Sequence, residues 1–258
     1  VRDLSGGIGY GDVALALALV AVAVAVSRIR KLDLERDVTV ATLRSFAQLL
    51  AVGYVLDFVF DGHGGLTAVA LVVMIGTATW TAARRARRMP GAVAVSVVSI
   101  AVAAGATLGV LLLFGVIPSG PRAVIPLGSM VISNAMVTTG LVMTRLRDDL
   151  AASRREVEAR LCLGQTSQEA AGPWLRSALR TGLLPIVDNT KVVGLVALPG
   201  AMTGMILAGA SPLAAIRLQL VVMYMLLGGN AFAALTAGEL SMRRLFTADH
   251  QLVKSLRR

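Results

Sequence analysis

Cysteine is all but missing: Cys162 stands alone in 258 residues, which excludes an internal disulfide and a cysteine-built metal cluster. Its thiol reads as a small apolar packing group. Aromatics make up only 4% of the chain, and the Lys and Arg residues fall in loops between apolar runs, not along one face. A net charge of +10 would otherwise suggest nucleic acid, but without a basic stripe and interleaved rings no such partner is expected. The phosphate-loop pattern G-x-x-x-x-G-K-S/T is absent, so ATP hydrolysis is not expected of this chain. No His, Cys and carboxylate grouping at metal-ligand spacing occurs, and no nucleophile with a base beside it argues for an enzyme.

Apolar sequence is what the chain has in quantity. At 56% hydrophobic residues and a mean hydropathy of +0.75 it is too apolar for an ordinary soluble domain. A bilayer core needs about 20 apolar residues per helix. Seven segments approach that length, at 10–29, 38–60, 66–83, 92–117, 125–144, 192–210 and 213–237. The expected fold is therefore all-α, a single polytopic membrane domain. The first run could also be a signal sequence cut near Ser27, but Arg28, Arg30 and Lys31 follow it as a stop-transfer flank does.

Basic residues set the orientation. Arg28, Arg30, Lys31 and Arg36 follow the first span, and Arg84, Arg85, Arg87 and Arg88 follow the third. Eight more lie between Arg145 and Lys191, and five occupy the tail, against only Arg2, Arg122 and Arg217 on or near the other side. This asymmetry predicts an N-terminus outside and a C-terminus in the cytoplasm of a cell or inner membrane.

Polar groups inside the spans are costly against lipid and are expected to face protein or water. The candidates are Arg44 and Gln48 in the second span, Asn134 in the fifth, Asn230 in the seventh, and Asp188, Asn189 and Lys191 at the entrance to the sixth. For each, an interhelical hydrogen bond or a snorkelling cation is the plainer explanation. Asp57, Asp61 and His63 near the outer mouth read as a solvated turn. Ala101, Gly105 and Gly109 form a small-residue stripe that admits a neighbouring helix, and Pro199 kinks the sixth span. Met130, Met136, Met143, Met202, Met205, Met223 and Met225 read as core packing.

The long polar interval 145–191 is the expected cytoplasmic arm. Leu146, Leu150, Val157 and Leu161 make an apolar stripe at helical spacing, and Arg154 with Glu158 and Glu156 with Arg160 are i,i+4 pairs. Gly164 is placed as the cap that ends this helix. Thr166, Ser167, Gln168 and Glu169 read as a capping box that starts a short second helix, with Gly172-Pro173 ending it. Such a knob, joined directly to the spans, suits a force-transmitting contact.

The pattern Glu158-Ala159 with Gly164 resembles the "EAA" loop of ATP-binding-cassette (ABC) membrane permeases, which docks on a separate ATPase subunit. Arg160 stands where that motif has a second alanine, and Leu184-Pro185 comes later than the usual spacing. A closer resemblance covers most of the chain from Arg44 onward. Its residues are Arg44 with Gln48-Leu49, Ile125-Pro126-Leu127-Gly128 through Asn134-Ala135-Met136, Glu158 to Gly164, and the block LLPIVDNTKVVGLVALPGAMTGMILAGASPLAAIRLQLVVMYMLLG. These are similar to the FetB/YbbM-like family of ABC permeases, described as exporting iron with a partner ATPase, with plant relatives linked to aluminium tolerance. The resemblance implies a homodimer of permease chains in a lipid bilayer, an ATP-binding subunit that holds ATP and magnesium, and no cofactor on this chain. It implies ATPase docking at Glu158, Gly164 and Thr166 to Glu169. Two other readings stay open: the same engine with an organic cargo such as a nucleotide sugar, and a stand-alone secondary transporter. The second would need an ion relay within the spans, whereas Asp12, Asp57, Asp188 and Glu239 all lie near span ends.

Overall fold

A computed structural model of the chain describes residues 10–30, 33–60, 65–196, 198–247 and 249–253. They form α1 (Tyr10–Arg30), α2 (Glu35–Phe60), α3 (Gly65–Arg85), α4 (Ala92–Leu113), α5 (Pro121–Ala152), α6 (Arg154–Cys162), α7 (Ser167–Val192), α8 (Gly200–Leu207) and α9 (Pro212–Leu245), with no β-strand among the described residues. Among those residues α2, α3, α4, α5 and α9 are each long and apolar enough to cross a membrane. The protein is a polytopic all-α membrane protein. Its exposed faces carry Leu49, Val72, Leu113 and Leu213, the reverse of a soluble surface.

The chain divides into two compact units. One comprises the described residues of 1–63 with Gly204–Ser211. Within it the turn from α1 to α2 is tied by Ser27, whose buried hydroxyl donates to Glu35 at 3.1 Å and accepts the Leu34 N–H at 3.2 Å. The other unit holds 64–203 and 212–253. There α5 and α9 pack on each other and on both α4 and α7, while α3 lies against α4 and α5.

Small side chains make this close packing possible, as expected where lipid supplies no hydrophobic drive between helices. Ala82, Ala103, Ala135, Ala178, Ala233, Ala234 and Ala237 are buried or nearly so. At three positions an added methyl group would force a neighbour to shift. A Cβ on Gly182 of α7 would stand 2.5 Å from Val142 Cγ2, one on Gly128 of α5 would stand 2.7 Å from Leu71 Cδ2, and one on Gly238 of α9 would stand 2.9 Å from Leu175 Cδ1. The stripe at Gly105 and Gly109 behaves otherwise: among the described residues, its own helix backbone aside, nothing lies within 4 Å of a Cβ at either.

Three expectations change. The fifth helix does not run to Gly164, because it ends at Ala152 and α6 restarts after Ser153. The Ser153 hydroxyl accepts a bond from Trp174 Nε1 at 3.0 Å, which fixes the break from a neighbouring helix. Gly172-Pro173 does not end the next helix, since α7 continues to Val192 with Pro173 and Pro185 inside it. A proline in a helix interior costs about 3 kcal/mol, and the contacts of Ala170, Ala171, Ala178, Gly182 and Ile186 outweigh it. The arm 145–191 is thus no free loop: its last third lies beside α5 within the expected fifth span.

The span expected at 192–210 is not one helix. Its first residue ends α7, residues 193–196, 198 and 199 are not helical, and α8 holds only eight residues, Gly200–Leu207. Gly194 at φ +83° and Pro199 break the regular backbone, and Gly209 at φ +88° closes α8. Of the remaining expected spans, 92–117 stops at Leu113, and the others fall within or nearly coincide with the observed helices.

Candidate functional site

The site is built from one end of the α3–α9 unit. At about 1.5 Å per residue, α5 with 32 residues and α9 with 34 exceed a core about 30 Å thick. Each is longer than one crossing needs, and their C-terminal ends gather α6, the start of α7 and the chain's tail. One apolar cluster unites them: Met143, Leu146, Leu150, Val157, Ala170, Ala171, Leu245, Phe246 and Leu252. The expected stripe of Leu146, Leu150 and Val157 is fully buried there, with Leu161 packed against it.

Two ion pairs brace α6 along its own length, and a cation–π contact joins it to α7. Arg154 pairs with Glu158 at 2.9 Å and Arg160 with Glu156 at 2.7 Å. The Arg160 guanidinium also lies over the Trp174 ring, 5.0 Å from its centre. The residue that departs from the permease motif therefore fastens the two arms of the knob. Gly164, at φ +87°, makes the turn between them, a backbone state that side chains resist. Thr166 then caps α7: its hydroxyl accepts the Glu169 N–H, while the Glu169 carboxylate accepts the Thr166 N–H at 2.9 Å and its hydroxyl at 2.8 Å. These bonds, the backbone one foremost, hold the Glu169 carboxyl below its ordinary value of 4.5. Gln168 beside it is exposed.

One contact at this place has no obvious sequence signal. After α9 the chain hooks back, with Phe246 bridging Leu252 and the Val253 N–H donating to Leu245. The hook carries His250 to the start of α7, where Nδ1 accepts the Ser167 N–H at 3.2 Å and lies 3.0 Å from the Ser167 hydroxyl. Residues 83 positions apart thereby share the exposed rim of the knob.

Deeper in the unit α7, α5 and α9 meet at one buried polar point. The Thr138 hydroxyl of α5 reaches both the Gly182 carbonyl of α7, at 3.3 Å, and the Asn230 Oδ1 of α9, while Asn230 Nδ2 donates to Leu226 at 2.7 Å. Asn230 is thus fully engaged within the protein, as an interhelical clamp. Asn134 is half-buried and donates to Met130 one turn back, at 2.9 Å. The two do not share a hydrogen bond. Arg44 and Gln48 lie exposed on α2, in the other unit. Asp57 is exposed, and Asp61 and His63 lie outside the described residues. Met143, Met223 and Met225 are buried, and Met130 and Met136 pack against the second apolar cluster.

Asp188, Asn189 and Lys191 lie together on α7. They sit exposed near the end of α7, with Lys191 Nζ 3.1 Å from Asp188 Oδ1. Helical backbone stops just after this group, at Val192, and resumes at Gly200.

Residues 10–246 match the family described as "Uncharacterised protein family (UPF0014)". The chain is similar to the rice (Oryza sativa subsp. japonica) UPF0014 membrane protein STAR2, 41% identical over 86% of this chain and 79% of that protein. It is equally similar, at 41% over 86% and 82%, to Protein ALUMINUM SENSITIVE 3 of Arabidopsis thaliana. The Escherichia coli (strain K12) protein named "Probable iron export permease protein FetB" is 38% identical over 88% of both chains. No solved structure matches.

Proposed function

Because this chain belongs to the UPF0014 family, with a relative named as a probable iron export permease, we propose that it is the membrane subunit of an ATP-driven metal exporter. A separate ATP-binding protein grips the knob formed by α6, Gly164 and the start of α7, on the cytoplasmic side of the inner membrane. Two permease chains face each other, and the cargo is iron or another metal ion. The N-terminus lies outside and the C-terminus in the cytoplasm.

One observation carries this reading: α7 is a single helix from the capped knob at Thr166 to Val192, where helical backbone stops. A push on its start is delivered 26 residues, about 39 Å, away. Near the far end stand Asp188, Asn189 and the carbonyls released by the break, oxygen donors of the kind hard cations such as ferric iron prefer. Lys191 holds Asp188 by charge when no cation is present, and a multivalent cation displaces it. The clamp of Thr138, Gly182 and Asn230 is the fulcrum, because it fastens α7 to α5 and α9 between the two ends. ATP binding and hydrolysis tilt the knob, and the break opens to one side and then to the other.

The test is assembly and flux together. Gly164→Arg strains the turn and Glu169→Lys breaks the cap, so both should lose co-purification with an ATP-binding subunit encoded nearby, and with it ATP-dependent metal movement in vesicles. Unchanged co-purification and transport in both variants would overturn the docking.

A further inference from the structure

A second charged place lies outside this machinery. Where α3 meets α5, a cleft of about 240 Å³ is lined by Arg85, Arg87, Arg88 and Arg147, with Met89, Met143, Thr144 and Asp148. The one carboxylate, Asp148, is bound to Arg147 Nη1 at 2.7 Å, which leaves the cleft strongly cationic. Arg147 Nε is buried without an acceptor. Among the described residues Arg85, Arg87 and Arg88 show no ion pair. Clustered cations at close range are expensive unless an anion joins them, and guanidinium forks match phosphate oxygens.

The approach to the cleft is apolar. Val69, Val72, Val73 and Trp80 form an exposed stripe along α3, and the Arg84 guanidinium lies 5.3 Å from the centre of the Trp80 ring. An indole at such a position marks the headgroup level of a bilayer. Acyl chains along α3 reach the level of the arginine run that follows Trp80. A free anion would leave the stripe unused.

We propose that this cleft is a phosphate-binding site that seats the headgroup of an anionic phospholipid, with its acyl chains along α3. Basic pockets between membrane helices suit such headgroups. Bridging Arg85, Arg87 and Arg88 to Arg147, the lipid ties the α3 end to α5 just below the knob.

The experiment titrates the purified full-length chain in neutral detergent with short-chain phosphatidylglycerol, phosphatidylcholine or inorganic phosphate. Native mass spectrometry counts bound lipid and thermal unfolding reads affinity. The expected result is one retained phosphatidylglycerol, bound at least roughly tenfold more tightly than phosphatidylcholine. That preference should be lost in the combined Arg85→Gln, Arg87→Gln, Arg88→Gln variant and reduced in Arg147→Gln, which keeps the test alive if the triple variant does not fold. A charge-matched control, Arg155→Gln, Arg176→Gln, Arg180→Gln, should retain it. Equal binding by wild type and both cleft variants would overturn the site, as would equal loss in the control. Phosphate acting as well as the lipid would overturn the headgroup assignment.

Discussion

Gly182 on α7 faces Val142 on α5 so closely that an added methyl carbon would stand 2.5 Å from the valine Cγ2. The two helices touch there with a hydrogen atom between them. Any side chain at 182 must push α7 off α5 or force Val142 aside.

Gly182→Val should therefore destabilise the protein by about 1–3 kcal/mol and impair coupled transport more than co-purification of the ATP-binding subunit. Adding Val142→Ala should restore a measurable part of both stability and flux. Thermal unfolding of the two single variants and the double one checks the coupling, and strictly additive losses would show that the approach carries no functional weight.

The buried triad makes a second prediction. Replacing Thr138 by Val leaves the Asn230 carbonyl oxygen without its donor, and Asn230→Ala removes the acceptor. Each should cost roughly 0.5–1.5 kcal/mol, with a double variant losing less than the sum. The measurement is a double-mutant cycle in denaturant or temperature.

At the knob, Thr166→Ala removes the cap hydroxyl and should cost about 1 kcal/mol. Glu169 adds a pH dependence. Its carboxyl titrates lower in the folded protein than its ordinary value of 4.5 because it accepts bonds from Thr166. The unfolded state thus binds the proton more readily, and the stabilisation is present above the ordinary value and lost as pH falls through the lower, folded one. Thermal unfolding from pH 7 downward should show an acid-side loss that Glu169→Gln abolishes.

Asp188→Asn and Lys191→Gln separate cargo handling from docking. Both positions are exposed and far from the capped end, so both variants should keep the ATP-binding subunit. Asp188→Asn should reduce metal flux at least about tenfold if its charge contributes even ~1.4 kcal/mol to holding the cation, whereas Lys191→Gln should retain metal longer. Flux and equilibrium metal binding read the two effects apart.

Much of this arrangement was legible in the residues. The pairs Arg154–Glu158 and Glu156–Arg160, the glycine turn at 164 and the capping box at Thr166 and Glu169 are local rules, and local bonds of a few ångströms decide them. What escaped was set by distant neighbours. Pro173 says that a helix should stop, yet packing of Ala170, Ala171 and Ala178 into the buried cluster carries α7 through it. Ser153 gives no breaking signal of its own, since its partner Trp174 lies 21 residues on. His250 meets Ser167 only because the tail folds back, and no spacing foretells that. Gly194 and Pro199 were visible within an apolar run, but hydropathy alone cannot tell a kink from a break.

Under the proposed function, a motor outside this chain drives cargo through it by way of α7. The direct measurement is iron efflux or uptake in liposomes holding the purified chain, with and without its ATP-binding subunit, and with ATP on the side of the knob. Flux is expected only when both proteins and hydrolysable ATP are present, and is expected to be lost when two glycines are inserted after Arg176 although the subunit still binds. Equal flux from the chain alone under an ion gradient would contradict it.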